Sequence, residues 1–193
     1  MPAPYRVIAL GDSLTYGYPF GKNLSWVEYA AKELHEPILN QGINGNTLRD
    51  MLRRVTVDVL DLKPEYCILF GGANDVYQGV DVNLMESNLL KLLDLLEEND
   101  IQPILALPPP LEDEVYEKVL GKFRRWIKAR AKERKIPLID FYAAFIDPKK
   151  KKPTPAFYED GVHPSSKGYQ AMAKAAVKVL QPALQGTVSS RTK

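Results

Sequence analysis

The sequence of 193 residues holds one cysteine and two histidines, and it contains no long apolar run. A lone cysteine cannot form an internal disulfide, and the apolar neighbours of Cys67 predict a buried side chain. Because no stretch of 18 apolar residues occurs, no membrane span is expected. The two histidines and the cysteine do not form a clustered set of metal ligands. These shortages argue against disulfide-stapled folds, membrane-spanning helices and sites built from several His or Cys ligands.

An excess of charge of one sign is also missing. The chain has 26 Lys and Arg against 24 Asp and Glu, a net charge of +2, which gives no argument for nucleic acid as a partner. The four lysines at 149–152 are interpreted as an exposed loop, with weak attraction to an anionic lipid or substrate as the alternative. The apolar run that begins at Val7 is too short for a signal peptide and soon reaches Asp12. A cytoplasmic location is therefore expected, and an export signal removed from the start of the chain is the alternative.

Short apolar runs alternate with amphipathic stretches, which is typical of a parallel sheet covered by helices. At 193 residues and 45% hydrophobic content, the chain is long enough for one well-buried core and short for two. We therefore predict one domain over residues 1–184, followed by a polar, flexible tail at 185–193. The predicted strands cover residues 6–10, 38–40, 65–70, 102–107 and 138–141. The predicted helices cover residues 25–34, 47–62, 81–98, 112–135 and 165–180.

Two segments far apart along the chain carry the side chains of an acyl-transfer site. Ser13 follows the first predicted strand directly, and ligands bind at the carboxyl ends of parallel strands. His163 could take the proton of the Ser13 hydroxyl and return it to the leaving alcohol. Asp160, three residues before it, is near enough to bond the other ring nitrogen. Taken alone, Ser13 fits a turn or helix cap and His163 a structural histidine; their conjunction favours catalysis.

Acyl transfer also requires hydrogen-bond donors aimed at the oxyanion that develops during attack. Asn74 follows the third predicted strand and can offer a side-chain amide at the same sheet edge. Gly45, just before a predicted helix, can offer a backbone N–H. Each fits an ordinary turn residue when taken alone, and Gly42, three residues from Gly45, is an alternative donor.

Four blocks, taken in order, resemble the SGNH hydrolase superfamily, also called the GDSL esterases and lipases. They are Gly-Asp-Ser-Leu at 11–14, Asn-Gly-Asn-Thr at 44–47, Gly-Ala-Asn-Asp at 72–75 and Asp-Gly-Val-His-Pro at 160–164. The resemblance implies a three-layer α/β/α, flavodoxin-like sandwich with a central five-stranded parallel sheet. It also implies a serine esterase that acts on a small-molecule ester, with no metal and no organic cofactor.

The resemblance assigns roles to individual residues. Ser13, Asp160 and His163 are the implied catalytic triad. The implied oxyanion hole consists of the backbone N–H groups of Ser13 and Gly45 and the side chain of Asn74. Segment 147–164, which delivers the acid and the base, is long for a loop without regular structure, and this favours a functional role.

Specificity is weakly encoded. Residues beside the blocks are candidates for substrate contact, or they pack the loops and touch nothing else. They are Asp12, Tyr16, Tyr18, Phe20, Val76, Tyr77, Pro108 and Val162. The small size and the lack of a lid-sized apolar insertion favour short acyl chains. Carbohydrate deacetylation, thioester cleavage and lysophospholipid hydrolysis are alternatives that use the same machinery.

Two hypotheses from other functional classes are alternatives to an esterase. A phosphohydrolase would use Asp12 after the first strand, although no convincing set of metal-binding carboxylates or P-loop accompanies it. A non-catalytic flavodoxin-like binding module would explain the fold but not the coincidence of Ser, Asn, Asp and His. The pattern leaves the oligomeric state open.

Overall fold

Five short strands rich in Val, Ile and Leu form one parallel sheet in the computed structural model, which describes residues 5–191 and the side chains of residues 5–186. The strands lie in the order β2-β1-β3-β4-β5, and the central five-stranded parallel sheet that the resemblance implied is confirmed. Their bounds are β1 Val7–Gly11, β2 Ile38–Gly42, β3 Tyr66–Phe70, β4 Gln102–Leu107 and β5 Leu138–Asp140. Each lies within two residues of its predicted position.

Helices cover both faces of the sheet because successive strand residues point to opposite sides. On β1, Ile8 and Leu10 pack into one core, and Val7 and Ala9 pack into the other. The first core is closed by α3, α5 and α6, and the second by α2, α7 and α8. The helices are α1 Ser13–Tyr16, α2 Trp26–Leu34, α3 Leu48–Asp58, α4 Ala73–Tyr77, α5 Val82–Glu98, α6 Glu114–Arg134, α7 Phe141–Phe145 and α8 Ser166–Arg191. The three-layer α/β/α architecture is confirmed.

The predicted end of the last helix near residue 180 is wrong, since α8 continues through Pro182 to Arg191. Leu180 and Leu184 are both buried and extend the apolar stripe beyond the proline. Pro182 has no N–H for the carbonyl of Lys178, but both residues are exposed, so water can satisfy that carbonyl. The flexibility of the tail at 185–193 stays a prediction, and its last two residues lie outside the described range.

The lone cysteine behaves as the sequence predicted. Cys67 is fully buried on β3, where burial raises the pKa of its thiol to about 12. Such a thiol is unreactive at neutral pH. Between residues 5 and 191, no helix combines the length and the apolar character that a membrane crossing needs.

The sheet brings three of the four sequence blocks to one edge. Gly11, the last residue of β1, is in register with Gly42 at the end of β2 and with Phe70 at the end of β3. The segments that leave these strands therefore start side by side. They carry Ser13, Gly45 and Asn74.

Candidate active site

The turn that carries Ser13 is built by its own neighbours. Asp12 caps α1, because its Oδ1 accepts a hydrogen bond from the Leu14 N–H at 2.9 Å. Gly11 admits no side chain, since a Cβ at that position would lie 2.8 Å from the Phe70 carbonyl oxygen. Ser13 is the first residue of α1 and is 7% exposed. Its backbone is thereby fixed at the carboxyl end of β1.

Hydrogen bonds join Ser13, His163 and Asp160 in a row. The Ser13 Oγ lies 3.1 Å from His163 Nε2, and His163 Nδ1 lies 2.7 Å from Asp160 Oδ2. Asp160 Oδ1 accepts from the N–H groups of His163 and Val162 at 2.7 and 3.1 Å. Burial tends to raise the pKa of Asp160, but the hydrogen bonds from His163 and Val162 hold it below its usual value. An ionised Asp160 keeps a proton on Nδ1 and leaves Nε2 to accept from the Ser13 hydroxyl.

The loop that carries Asp160 is fastened to the segment after β4. The Tyr158 hydroxyl donates to the Pro110 carbonyl at 2.7 Å, and the Glu112 N–H donates to the Gly161 carbonyl at 3.1 Å. Gly161 has φ of +80°, and a Cβ there would lie 2.6 Å from the Glu112 carboxylate. A side chain at this position would be strained and crowded, so the loop requires glycine.

The segment after β4, with prolines at 108–110, is held by an ion pair on α6 whose arginine is buried. Arg124 is 5% exposed, contacts the Glu117 carboxylate and donates to the Pro109 carbonyl at 3.2 Å. Glu117 also accepts from the Leu111 N–H at 2.9 Å. The imidazole is therefore positioned through contacts that begin on α6. Sequence reasoning missed Arg124, because nothing in a basic helix distinguishes one buried arginine from its exposed neighbours.

Asn74 lies on α4, directly after β3 and two glycines. Its Nδ2 donates to the Asn46 carbonyl at 3.0 Å, which orients the amide. An amide nitrogen has two hydrogens, so one is left for another acceptor. Gly72 caps α4 with φ of +111°, a left-handed backbone conformation that favours glycine.

The two glycines after β2 differ in their surroundings. A Cβ on Gly42 would lie 2.2 Å from the Tyr16 nitrogen, so Gly42 allows β2 and α1 to approach closely. Gly45 is exposed, has φ of +79° and has no atom within 4 Å of the position of a Cβ. A side chain at Gly45 would therefore meet no neighbour, and the predicted role of its N–H as an oxyanion donor stays a prediction.

The predicted substrate-contacting residues fall into two groups. Tyr18, Phe20 and Tyr77 are 37–42% exposed, and the Tyr18 ring lies 4.6 Å from the His163 ring, centroid to centroid. Tyr16 and Val162 are half-buried. Val76 and Pro108 are buried, which favours the packing role that the sequence left open.

Asp12 has no exposed surface, and its side chain caps α1. Burial favours a structural role for this carboxylate in the nucleophile turn, and its contact with a substrate stays a prediction.

Two carboxylates lie buried beneath the site. Asp75 has no exposed surface and accepts from the Leu48 N–H at 3.1 Å, which ties α4 to the start of α3. Burial raises the pKa of Asp75 to about 6 and that of Asp12 to about 7. Within the described residues, Asp12 Oδ2 has no hydrogen-bond partner. Sequence reasoning missed the structural role of Asp75, although its place beside Asn74 was the available signal.

Comparison with known proteins fits this geometry. Residues 9–171 match the model of the GDSL-like lipase/acylhydrolase family. The chain belongs to that family. Membership places this GDSL-like protein among the hydrolases of the esterase and acylhydrolase class, and it confirms the resemblance that the four blocks suggested.

Matches to known proteins cover most of the length of this GDSL-like protein. An acetylxylan esterase of Geobacillus stearothermophilus is 29% identical over 156 residues, 74% of this chain and 71% of the relative. A putative lipolytic protein of the G-D-S-L family from Desulfitobacterium hafniense DCB-2 has a solved structure that is 30% identical, with a TM-score of 0.84 over 90% of this chain and 98% of that one. The solved structure of a catalytic serine-to-alanine mutant of Axe2, an acetylxylan esterase from Geobacillus stearothermophilus, is 25% identical, with a TM-score of 0.79 over 92% and 94% of the two chains.

Replacement of Asp12 by asparagine is expected to flatten the pH dependence of unfolding in this GDSL-like protein. The pKa of Asp12 is about 7 in the folded chain, against an ordinary value of 3.8. Between about pH 4 and 7 the folded state therefore holds a proton that the unfolded state releases, and the free energy of unfolding falls as the pH rises. The whole shift corresponds to up to about 4 kcal/mol.

Urea unfolding across this pH range measures the effect. Asp81→Asn is the matched control, because Asp81 caps α5 through the same kind of bond but is exposed. We expect the loss of stability with rising pH to shrink in Asp12→Asn and to persist in Asp81→Asn. Equal slopes in wild type and Asp12→Asn would contradict the assignment.

Proposed function

We propose that this GDSL-like protein is a serine-dependent carboxylic ester hydrolase that acts on short-chain acyl esters through an acyl-enzyme intermediate. The observation that carries the proposal is the row of hydrogen bonds from Ser13 Oγ through both ring nitrogens of His163 to Asp160, with lengths of 3.1 and 2.7 Å. A nucleophile, a base and an orienting carboxylate within hydrogen-bond reach are the requirements for serine catalysis. The catalytic serine of the related acetylxylan esterase Axe2 supports the same reading.

In the first half of the reaction, the Ser13 Oγ attacks the carbonyl carbon of the ester. Nε2 of His163 takes the hydroxyl proton as the new C–O bond forms, and the imidazolium is stabilised by Asp160. The tetrahedral intermediate then breaks its bond to the alcohol oxygen, and His163 returns the proton to that oxygen. The alcohol leaves, and the acyl group stays on Ser13.

In the second half, water replaces the alcohol. His163 takes a proton from the water, the hydroxide oxygen bonds to the acyl carbon, and the bond to Ser13 Oγ breaks as that oxygen regains a proton. In both halves we assign the oxyanion to the N–H groups of Ser13 and Gly45 and to the second amide hydrogen of Asn74. Ser13 supplies the first N–H of α1, a position where no intrahelical acceptor competes.

A deacetylase that acts on a carbohydrate is the second candidate. The matches to an acetylxylan esterase of Geobacillus stearothermophilus favour it. The exposed aromatic side chains of Tyr18 and Phe20 also favour it, because they offer apolar faces to an alcohol group too large for an enclosed pocket. Both candidates share one acyl-transfer site and differ only in the alcohol that leaves.

The boundaries of the catalytic domain and the cellular location of the protein are also predictions. We assign catalysis to residues 1–184, since all the proposed catalytic residues lie between Ser13 and His163. The cytoplasmic location stays a prediction.

A ladder of p-nitrophenyl esters, from acetate to palmitate, tests the proposal with EDTA present throughout. We expect the highest kcat/KM at acetate or butyrate and a steep fall in kcat/KM beyond about eight carbons. The reason is that the aromatic side chains of Tyr18 and Phe20 are exposed and that the sequence has no lid-sized apolar insertion. Acetylated xylo-oligosaccharides form the second arm. Release of acetate from them at a higher kcat/KM than from the aryl ester would select the deacetylase.

Other results would overturn parts of this proposal. A peak at palmitate, or preference for a lysophospholipid or an acyl thioester, would contradict the assigned substrate class while leaving the chemistry intact. Loss of turnover in EDTA would point to a metal-dependent reaction. An absence of turnover on every ester would favour a binding module.

A further inference from the structure

We propose that Arg54 on α3 is a positioning residue that holds the oxyanion side of the active site in place. This inference rests on the proposed function, because it concerns the groups assigned there to bind the oxyanion. None of the four sequence blocks contains Arg54, and Arg54 takes no direct part in the proposed reaction.

The Arg54 guanidinium bonds to the ends of two strands and to the loop that follows them. Its Nη2 donates to the Gly11 carbonyl at 2.8 Å and to the Gln41 carbonyl at 2.9 Å, and its Nε donates to Asn46 Oδ1 at 2.7 Å. The side chain is 15% exposed, so these bonds are shielded from water. An arginine has five N–H donors in a fixed plane, which suits several acceptors held at once.

The partners of Arg54 adjoin the proposed oxyanion donors. Gly11 lies two residues before Ser13, and Asn46 directly follows Gly45. The Asn46 carbonyl accepts the Nδ2 hydrogen of Asn74 at 3.0 Å. One side chain thus fixes Asn46, and Asn46 fixes the amide of Asn74. All three proposed donors are within two residues, or one hydrogen bond, of a group that Arg54 holds.

Charge neutralisation explains how the guanidinium is tolerated there. Arg54 Nη1 donates to Asp58 Oδ2 at 2.5 Å, one helical turn further along α3. The ion pair leaves Nε and Nη2 for the loop acceptors. A lysine would keep the charge, but its single nitrogen cannot reach all these acceptors together.

The test compares Arg54→Met with Arg53→Met, using p-nitrophenyl acetate. Arg53 is the neighbouring arginine on α3, but its side chain is 64% exposed and bonds only to Asp50 among the contacts of the described residues. Since loss of one oxyanion donor costs about 100- to 1,000-fold, we expect misplacement in Arg54→Met to lower kcat by about 10- to 100-fold. KM should change by less than about threefold, because the loss concerns the transition state. Arg53→Met should match wild type.

A double-mutant cycle separates positioning from a general structural role. If Arg54 acts through Asn46 and Asn74, then Arg54→Met should cost much less in an Asn74→Ala background than in wild type. Equal costs in both backgrounds would overturn the inference. Full rescue by Arg54→Lys would also overturn it, because charge alone would then suffice.

Folding and the proposed function are controlled separately. Urea unfolding and circular dichroism report whether Arg54→Met folds, and Asn46→Ala takes its place in the cycle if it does not. If wild type is active and Arg54→Met is fully active, this inference is overturned and the proposed esterase function is unaffected. The same conclusion follows from a fully active Asn46→Ala where that variant replaces Arg54→Met. A wild type inactive on every ester overturns the proposed function and this inference with it.

Discussion

Ser13→Ala is expected to lower kcat for p-nitrophenyl acetate by about a millionfold. The substitution removes the atom that forms the acyl-enzyme, and only the residual catalysis that oxyanion donors and substrate binding give to direct attack by water is left. The fold should be unaffected. In the described residues, the Ser13 hydroxyl contacts only His163, and alanine suits the start of a helix as well as serine does.

Steady-state kinetics and mass spectrometry together measure this prediction. Wild type treated with a fluorophosphonate should gain one adduct at Ser13, and Ser13→Ala should gain none. Thr15→Ala is a matched control, since that hydroxyl is buried two residues away in the same turn. Normal turnover by a correctly folded Ser13→Ala would show that the nucleophile is misassigned.

Asp160→Asn is expected to lower kcat by about 10,000-fold while the loop keeps its shape. The asparagine oxygen can still accept from the N–H groups of His163 and Val162, as Asp160 Oδ1 does. Its NH₂ group, however, would face His163 Nδ1, where the carboxylate Oδ2 now accepts a hydrogen bond with an N···O distance of 2.7 Å. Two donors cannot share that bond, so the ring would shift its proton to Nε2 and lose the lone pair that faces Ser13.

The neighbouring Glu159 supplies the control for this prediction. Its side chain is also exposed, and Glu159→Gln removes the same charge from the same loop without touching the imidazole contacts. We expect Glu159→Gln to keep at least half of the wild-type kcat. If Asp160→Asn loses less than about tenfold, the carboxylate does not set the tautomer, and the hydrogen bond to Nδ1 has another purpose.

The periodicity of apolar residues was enough to predict the strands, the long helices and a parallel sheet covered by helices, and the family resemblance added the three-layer flavodoxin-like arrangement. Strands such as β3 are continuous apolar runs, and the long helices carry stripes such as Leu89, Leu92 and Leu96 on α5. The three short helices α1, α4 and α7 were not predicted, because four or five residues make little more than one turn and an apolar stripe cannot repeat within it. The end of α8 was missed for a different reason. A proline normally stops a helix, but an exposed proline beside a continuing apolar stripe does not.

The candidate site divides in a similar way. Ser13, Asn74, Asp160 and His163 were singled out because their residue types and order carry the chemistry. Arg54, Arg124 and Asp75 were not, because their importance depends on partners that only the fold brings near. Asp12 was assigned to the substrate because a carboxylate beside a nucleophile suggests contact with a ligand. Burial, which a single sequence does not display, favours a structural role.

The nucleophile and its base are 150 residues apart along the chain and are held by unlike means. Ser13 begins α1 directly after β1, a strand whose residues are all buried in the sheet. His163 lies on loop 147–164, where only Gly161 and Pro164 are buried, and contacts such as those of Tyr158 with Pro110 and of Glu112 with Gly161 hold the loop in place. Regions with few buried contacts open locally at a lower free energy than the whole molecule. Catalysis in this protein should therefore fail on heating before the helices melt, and the first damage should be reversible.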